Sequence, residues 1–348
     1  MSAANTDSRP AKRARTEESL TDLAIVRFDA LWFDNGNLFR VHKSILAQRS
    51  FFFSDLKNLP RPSGAEGNLV DGCPVVELQD DAEAVQYMLE CIYDTEKLTK
   101  SPSYKQIIFA LRMGHKYLVP SLFESAAERV RRQLPSEFTP YSVLGTTDAF
   151  RWFTGGDNAF ELLTVLREVG LETSVPALCL FYIMEFHAED IAHGWPNPGQ
   201  TANPDDVLKM LLARDKIITT QMSYALLWSW DYNRSDCCKK FDECDLARSL
   251  FRTQALRRLE SLGDGLNDNV LCFKDWDHTM KTRLCTHCTT QAKRMHEEGQ
   301  RRFWKDMPSL FGCKPWEQLQ DFKIEAYYNS RTRQKRDAIH IDDNRDFV

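Results

Sequence analysis

The stretch LFRVH, residues 38–42, alternates in polarity, with Phe39 and Val41 on one face and the other three residues on the opposite face. It follows the apolar run FDALWF and the sequence DNGN, whose Asn-Gly pair favours a tight turn. We therefore predict a β-hairpin here. From Lys43 onward the apolar spacing becomes helical, which places His42 at the joint between a strand and a helix.

Short strand signals and helical spacing recur along the rest of the chain. The sequence PVVEL, residues 74–78, is the next strand candidate. Helices are predicted at 79–98, 104–119 and 120–134, and further apolar, mostly helical segments at 159–169, 175–187, 204–213 and 219–230. A few strands followed by many helices indicate an α+β fold with a mostly α-helical C-terminal region.

Changes in composition divide the chain into four parts. The polar N-terminus contains the basic run KRAR, which suits either a solubilising tail or a nuclear import signal. Pro135 separates the strand-containing part from the helical part. The predicted parts are a disordered basic tail at 1–21, a first domain at 22–134, a helical domain at 136–325 and a disordered tail at 326–348.

Composition and charge narrow the class of protein. The chain has 348 residues, of which 43 % are hydrophobic and 27 % charged, as in soluble globular proteins. A net charge of -5 argues against a protein that mainly coats nucleic acid or anionic membranes. No stretch approaches the roughly 18 apolar residues of a membrane span, and the N-terminus lacks the apolar core of a secretory signal. We expect an intracellular protein, cytoplasmic or nuclear, without a membrane partner.

A search for catalytic motifs predicts that the chain is not an enzyme. The sequence contains no G-x-S-x-G, H-E-x-x-H, Walker-type or G-x-G-x-x-G motif. His42 has no serine, cysteine or aspartate beside it and no second metal ligand at helical spacing. We therefore predict a structural, hydrogen-bonding role for this histidine.

The cysteines are the strongest candidates for binding chemistry. Seven of the ten lie after residue 236, and an intracellular location favours thiols or metal ligands over disulfides. Cys285 and Cys288 form a C-x2-C pair, a spacing that can bring two thiolates to one metal ion. Cys238 and Cys244 could complete a structural zinc site, although their separation is wider than the usual two to four intervening residues.

Two alternatives stay open for these cysteines. His287 or Cys272 could replace one of the four ligands. The cysteines could also be small buried apolar residues or isolated thiols, because free cysteine is among the most buried residue types. A zinc ion with four protein ligands would be structural and would hold the helix at 289–307 against the segment at 237–250.

The order of the elements resembles the BTB/POZ domain over residues 22–134. The resemblance is carried by the joint F-x-V-H-K-x-x-L, from Phe39 to Leu46, and by DGCPVVELQDDAEAVQYMLECIYD and ALRMGHKYLVPSLFESAAERV. The C-terminal half resembles a BTB-domain family of mushroom-forming fungi, through its cysteine pair and an ending that runs from Trp304 to Leu319. In those relatives the first turn leads into an additional strand, so the resemblance implies a shortened first hairpin here.

The BTB resemblance implies a protein interaction function. BTB domains of this kind form homodimers, and some dock onto a cullin so that the rest of the chain presents an unknown substrate protein for ubiquitylation. The alternative is a nuclear BTB transcriptional regulator with a structural zinc site, which the net charge disfavours. The interaction residues implied by the resemblance are Asp29, His42, Lys43, Phe51, Phe52, Asp55 and Leu56.

Overall fold

The computed structural model describes most of the chain in several ranges. These are residues 28–33, 38–58, 69–70, 73–98, 100–138, 159–230, 233–260, 274, 276 and 283–343. The predicted N-terminal tail with KRAR, the DNGN turn and Cys272 lie outside the described residues.

A four-stranded sheet forms the first part of the fold. Its strands are β1 (Phe28–Phe33), β2 (Leu38–His42), β3 (Leu69–Val70) and β4 (Cys73–Leu78), in the order β2-β1-β4-β3. β1 pairs antiparallel with β2 in a register from Phe28↔His42 to Trp32↔Leu38, and parallel with β4. The predicted hairpin strands are confirmed, and Val41 is buried while Leu38 is exposed, as the alternation predicts.

In the described residues between 43 and 133, five α-helices accompany the sheet. They are α1 (Lys43–Arg49), α2 (Phe51–Asn58), α3 (Ala82–Tyr93), α4 (Tyr104–Lys116) and α5 (Pro120–Gln133). Their starts follow local chemistry: the Asp81 carboxylate caps α3, Ser103 and Gln106 form a capping box on α4, and α5 begins with Pro120. The strand-helix joint at His42 is confirmed, because β2 ends there and α1 begins at the next residue.

The C-terminal half is helical, as expected. Its described α-helices are α6 (Glu161–Val169), α7 (Val175–Glu185), α8 (Ala188–His193), α9 (Pro204–Thr220), α10 (Phe241–Glu260), α11 (Thr286–Leu310) and α12 (Ile324–Asp343). The apolar segment at 219–230 is not one helix but contains two 3-10 turns, Gln221–Ser223 and Leu227–Ser229. The chain bends here to pack under α11, where a ring nitrogen of His296 lies 2.9 Å from the Ala225 carbonyl oxygen.

The end of the chain differs from the expected disordered tail. Instead of a coil from residue 326, the structure has helix α12, which begins at Ile324. Ile324 is buried, and Tyr328, one helical turn later, stacks on the Phe51 ring of α2. One anchored face is therefore enough to order a segment whose overall composition is polar.

One continuous core joins the two halves of the chain. Buried side chains of α3, α4 and α5 belong to the same cluster as those of α6, α7 and α9. At its edge, Arg112 of α4 pairs with Glu168 of α6 at 2.9 Å, and the Leu162 backbone N–H donates to the Tyr104 hydroxyl at 3.0 Å. The sequence predicts a domain boundary at residue 135, but one hydrophobic core contains residues from both sides of it.

Asp321 makes a second junction between the halves. Its carboxylate lies 2.7 Å from Arg131 Nε of α5 and accepts hydrogen bonds from the Thr173 backbone N–H and hydroxyl, both at 2.9 Å. Nearby, the Trp304 and Trp316 rings of the C-terminal ending stack, and Trp304 Nε1 donates to the Ser136 carbonyl at 2.8 Å.

None of the described helices is both long enough and apolar enough to cross a bilayer.

Candidate metal centre and interaction surfaces

The starts of two helices bring together the four cysteines named as candidate metal ligands. Cys238 lies in the short loop before α10, and Cys244 lies in the first turns of that helix. Cys285 precedes the first residue of α11, and Cys288 lies in its first turn. Because both helix N-termini point toward this spot, their partial positive charges favour thiolates there.

The four sulfur atoms form a compact group. All of them lie within 4.8 Å of one another, and the Cys238 and Cys285 sulfurs are 3.8 Å apart. A zinc ion bound tetrahedrally by four thiolates at about 2.3 Å separates its sulfurs by about 3.8 Å. A disulfide requires about 2.05 Å, so this 3.8 Å pair is unbonded.

Backbone hydrogen bonds act on three of these sulfurs. The Cys285 N–H donates to the Cys244 sulfur at 3.3 Å. A hydrogen bond from the Cys288 N–H is the main reason why the pKa of Cys285 is lowered to about 7. Burial raises the pKa of Cys238, and a hydrogen bond from the Lys240 N–H opposes that rise. Burial likewise raises the pKa of Cys244, to about 12.

The other candidate ligands do not join this group within the described residues. His287 is exposed, and Cys272 lies outside the described residues. Cys237 is next to Cys238 in sequence but is exposed and is not part of the cluster. The sequence therefore predicted the four cysteines that converge, while metal binding itself stays a prediction.

The residues named around the first hairpin occupy different settings. Asp29 lies in β1 opposite Val41, and Lys43 is the first residue of α1. The His42 backbone N–H donates to the Tyr93 hydroxyl at 2.6 Å, and His42 Nδ1 lies 3.1 Å from the same oxygen. His42 therefore links the end of β2 to the end of α3, in agreement with the hydrogen-bonding role expected for it.

The residues named on α2 do not form one open surface. The Phe51 ring stacks on Tyr328 of α12 at 4.2 Å, and the Tyr328 hydroxyl donates to Asp55 at 2.8 Å. Phe52 remains 40 % exposed and forms a T-shaped ring pair with Tyr117, and Leu56 is half-buried. The C-terminal helix therefore covers part of this face.

Comparison with known families identifies the first part of the chain. The family model of the BTB/POZ domain matches residues 12–134. These residues are a BTB/POZ domain. The match confirms the resemblance for this part of the chain and begins before residue 22, the expected domain start. No curated protein matches the chain, and the resemblance of the C-terminal half to the fungal family stays a prediction.

Sequence reasoning missed two tyrosines that contact the BTB domain residues named above. Tyr93 binds His42 from the last turn of α3, and Tyr328 covers Phe51 and Asp55 from α12. The spacing of Ile324 and Tyr328 is the one local signal for the second contact, because residues four apart share a helix face.

Proposed function

We propose that this protein is a self-associating interaction protein whose BTB domain joins two copies of the chain. BTB domains mediate protein–protein interaction, and the family match supports this class of function. The observation that supports self-association is the position of β2, which is an outer strand of the sheet formed by the described residues. Leu38, the first residue of β2, is 45 % exposed, so a second copy could cover it while extending the sheet.

Light scattering of the full chain after size-exclusion chromatography tests this proposal. We expect a mass near twice the 40.3 kDa of one chain. Leu38→Lys should shift the mass toward the monomer, because a lysine on an edge strand opposes pairing. Leu256→Lys on α10 is the matched control, since Leu256 is 46 % exposed and distant in sequence. A monomeric wild-type protein at high concentration, or equal effects of both variants, would refute self-association through β2.

We further propose that the BTB domain serves as a substrate adaptor for a cullin-type ubiquitin ligase. This finer role rests on the BTB resemblance, and Phe52 is the exposed part of the proposed docking face on α2. Because Tyr328 contacts both Phe51 and Asp55, docking over the whole face requires α12 to leave α2. Helix α12 would then compete with the cullin for this face.

Affinity capture of the full chain followed by mass spectrometry tests the adaptor role. Phe52→Ala should lower cullin recovery, and Tyr328→Ala should raise it by uncovering Phe51. The control is Tyr327→Ala, because the neighbouring Tyr327 ring lies 5.5 Å from Phe322 instead of on α2. Absence of a cullin with both wild type and Tyr328→Ala would reject the adaptor role. Recovery of chromatin proteins instead would favour the nuclear regulator.

A further inference from the structure

The cysteine cluster, Cys238, Cys244, Cys285 and Cys288, differs in its surroundings from Cys91 and Cys179, the other cysteines that are buried among the described residues. Cys91 and Cys179 belong to the large apolar core. In contrast, the buried members of the cysteine cluster form a separate group whose partly buried neighbours are Leu284 and Cys285. Cysteines that act as small apolar residues are expected in the first setting rather than the second.

The geometry of the cluster fits one tetrahedral metal ion. Four sulfurs within 4.8 Å of one another leave room for a single ion at about 2.3 Å from each. An iron–sulfur cluster needs inorganic sulfide and more than one iron between its thiolates, and therefore a wider arrangement of cysteines. A tetrahedral set of four thiolate ligands selects zinc over the oxygen-preferring divalent ions.

Charge around the cluster also suits a bound metal. Four thiolates and one Zn²⁺ carry a net charge of about -2, which the surroundings must balance. The N-termini of α10 and α11 and the backbone N–H groups of Lys240 and Cys285 supply positive potential at the sulfurs. The Lys240 side chain, which is paired with Glu243 at 2.9 Å, also interacts electrostatically with Cys244 and Cys285.

We propose that Cys238, Cys244, Cys285 and Cys288 bind one structural zinc ion. The ion has four protein ligands and no open position for water or substrate, so it holds structure rather than supporting catalysis. It ties the start of α10 to the start of α11, and residues 261–285 separate these two helices in the sequence. The proposal concerns a different part of the chain from the BTB surface and does not depend on the adaptor role.

The stabilising role follows from the small local core. The apolar cluster beside the cysteine cluster is built around Trp228, Phe251, Trp276 and Ala292, and Leu284 packs against both groups. Within the described residues this core is small, and small folding units commonly depend on a metal or disulfide. Zinc binding would therefore add directly to the folding free energy of this region.

Metal analysis of the full chain, purified without chelator, is the first test. We expect about one equivalent of zinc per chain, and less than about a tenth of an equivalent in Cys285→Ser and in Cys288→Ser after dialysis. Cys237→Ser is the control, because this exposed cysteine adjoins Cys238 but lies outside the cluster. Wild-type protein without zinc, protein with iron instead, or equal zinc loss in the Cys237 variant would overturn the proposal.

Thiol reactivity provides a second test that needs no variant to fold. Alkylation of native wild-type protein, with peptide mapping, should modify the four cluster cysteines at least about tenfold faster after chelator is added, because bound thiolates are protected. Cys237 should react equally under both conditions. Chelator-independent alkylation of all five, or disulfides between cluster cysteines in protein prepared under reducing conditions, would count against zinc.

Discussion

Replacing Asp321 with alanine removes the junction between α5 and the segment before α7. The Asp321 side chain is 7 % exposed and holds three donors: Arg131 Nε, the Thr173 backbone N–H and the Thr173 hydroxyl. In Asp321→Ala these donors lose their shared acceptor. The change should therefore destabilise the fold without removing any large apolar side chain.

The size of the effect can be built from the individual contacts. A backbone N–H that loses a charged acceptor costs about 1.5–3 kcal/mol. The ion pair adds up to about 1 kcal/mol, because Arg131 is partly exposed and keeps Glu124 as a second partner at 3.3 Å. The total is about 1.5–4 kcal/mol, which corresponds to a decrease of about 2–5 °C in Tm if the 348-residue chain unfolds as one unit.

Thermal unfolding followed by circular dichroism measures this decrease. Asp321→Asn separates the two contributions, because it keeps an oxygen for the Thr173 N–H but loses the charge. Glu124→Ala is the matched control: it removes the more exposed partner of the same arginine and should change Tm by less than about 1.5 °C. The reasoning would be refuted if Asp321→Ala were no less stable than Glu124→Ala.

Two further predictions concern close packing and pH. Gly299→Ala should lower the free energy of unfolding by about 1–3 kcal/mol, because the new Cβ would lie 2.6 Å from the Ala225 Cα and push α11 away from residues 224–225. Thermal unfolding measures this loss, and a variant as stable as wild type would contradict the close contact. Burial lowers the pKa of His115, whose ring lies 4.6 Å from that of Phe322. As pH falls below 6.5, the unfolded chain therefore binds more protons at this histidine than the folded chain does, and the fold loses stability. Urea midpoints should therefore fall less between pH 7 and pH 5 in His115→Phe than in wild type, and an equal or larger fall in the variant would exclude the histidine as a cause.

The elements that the sequence predicted well are those determined by neighbouring residues. The hairpin strands follow alternation, and the starts of α3, α4 and α5 follow capping residues and a proline within one turn. The helix prediction for residues 219–230 was wrong for the opposite reason. Its apolar residues contact α11, as in the Tyr224–Phe303 ring pair at 5.6 Å, and long-range contacts of this kind override local helical spacing.

The residues of the candidate sites also differ in whether neighbouring residues or long-range contacts determine them. The C-x2-C pair is local, so Cys285 and Cys288 were recognisable from spacing alone. Pairing them with Cys238 and Cys244 required the positions of two helix starts, and the wide spacing works because Cys244 already lies within α10. The contact between Tyr328 and Asp55 spans 273 residues, so the spacing of Ile324 and Tyr328 indicates their shared helix face but not the residues that this face contacts.

The proposed self-association surface and the proposed zinc site adjoin different hydrophobic cores, so each can be perturbed without the other. The BTB helices share one continuous core with α6, α7 and α9, whereas the cysteine cluster adjoins the smaller core around Trp228. Zinc removal should therefore loosen α10 and the start of α11 while β2 keeps its position. We expect chelator treatment to make α10 and the start of α11 unfold at a lower temperature than the rest of the chain, and to leave the mass of the self-associated form unchanged. A monomeric mass after chelation, restored by zinc, would show that the small core and the BTB surface are coupled after all.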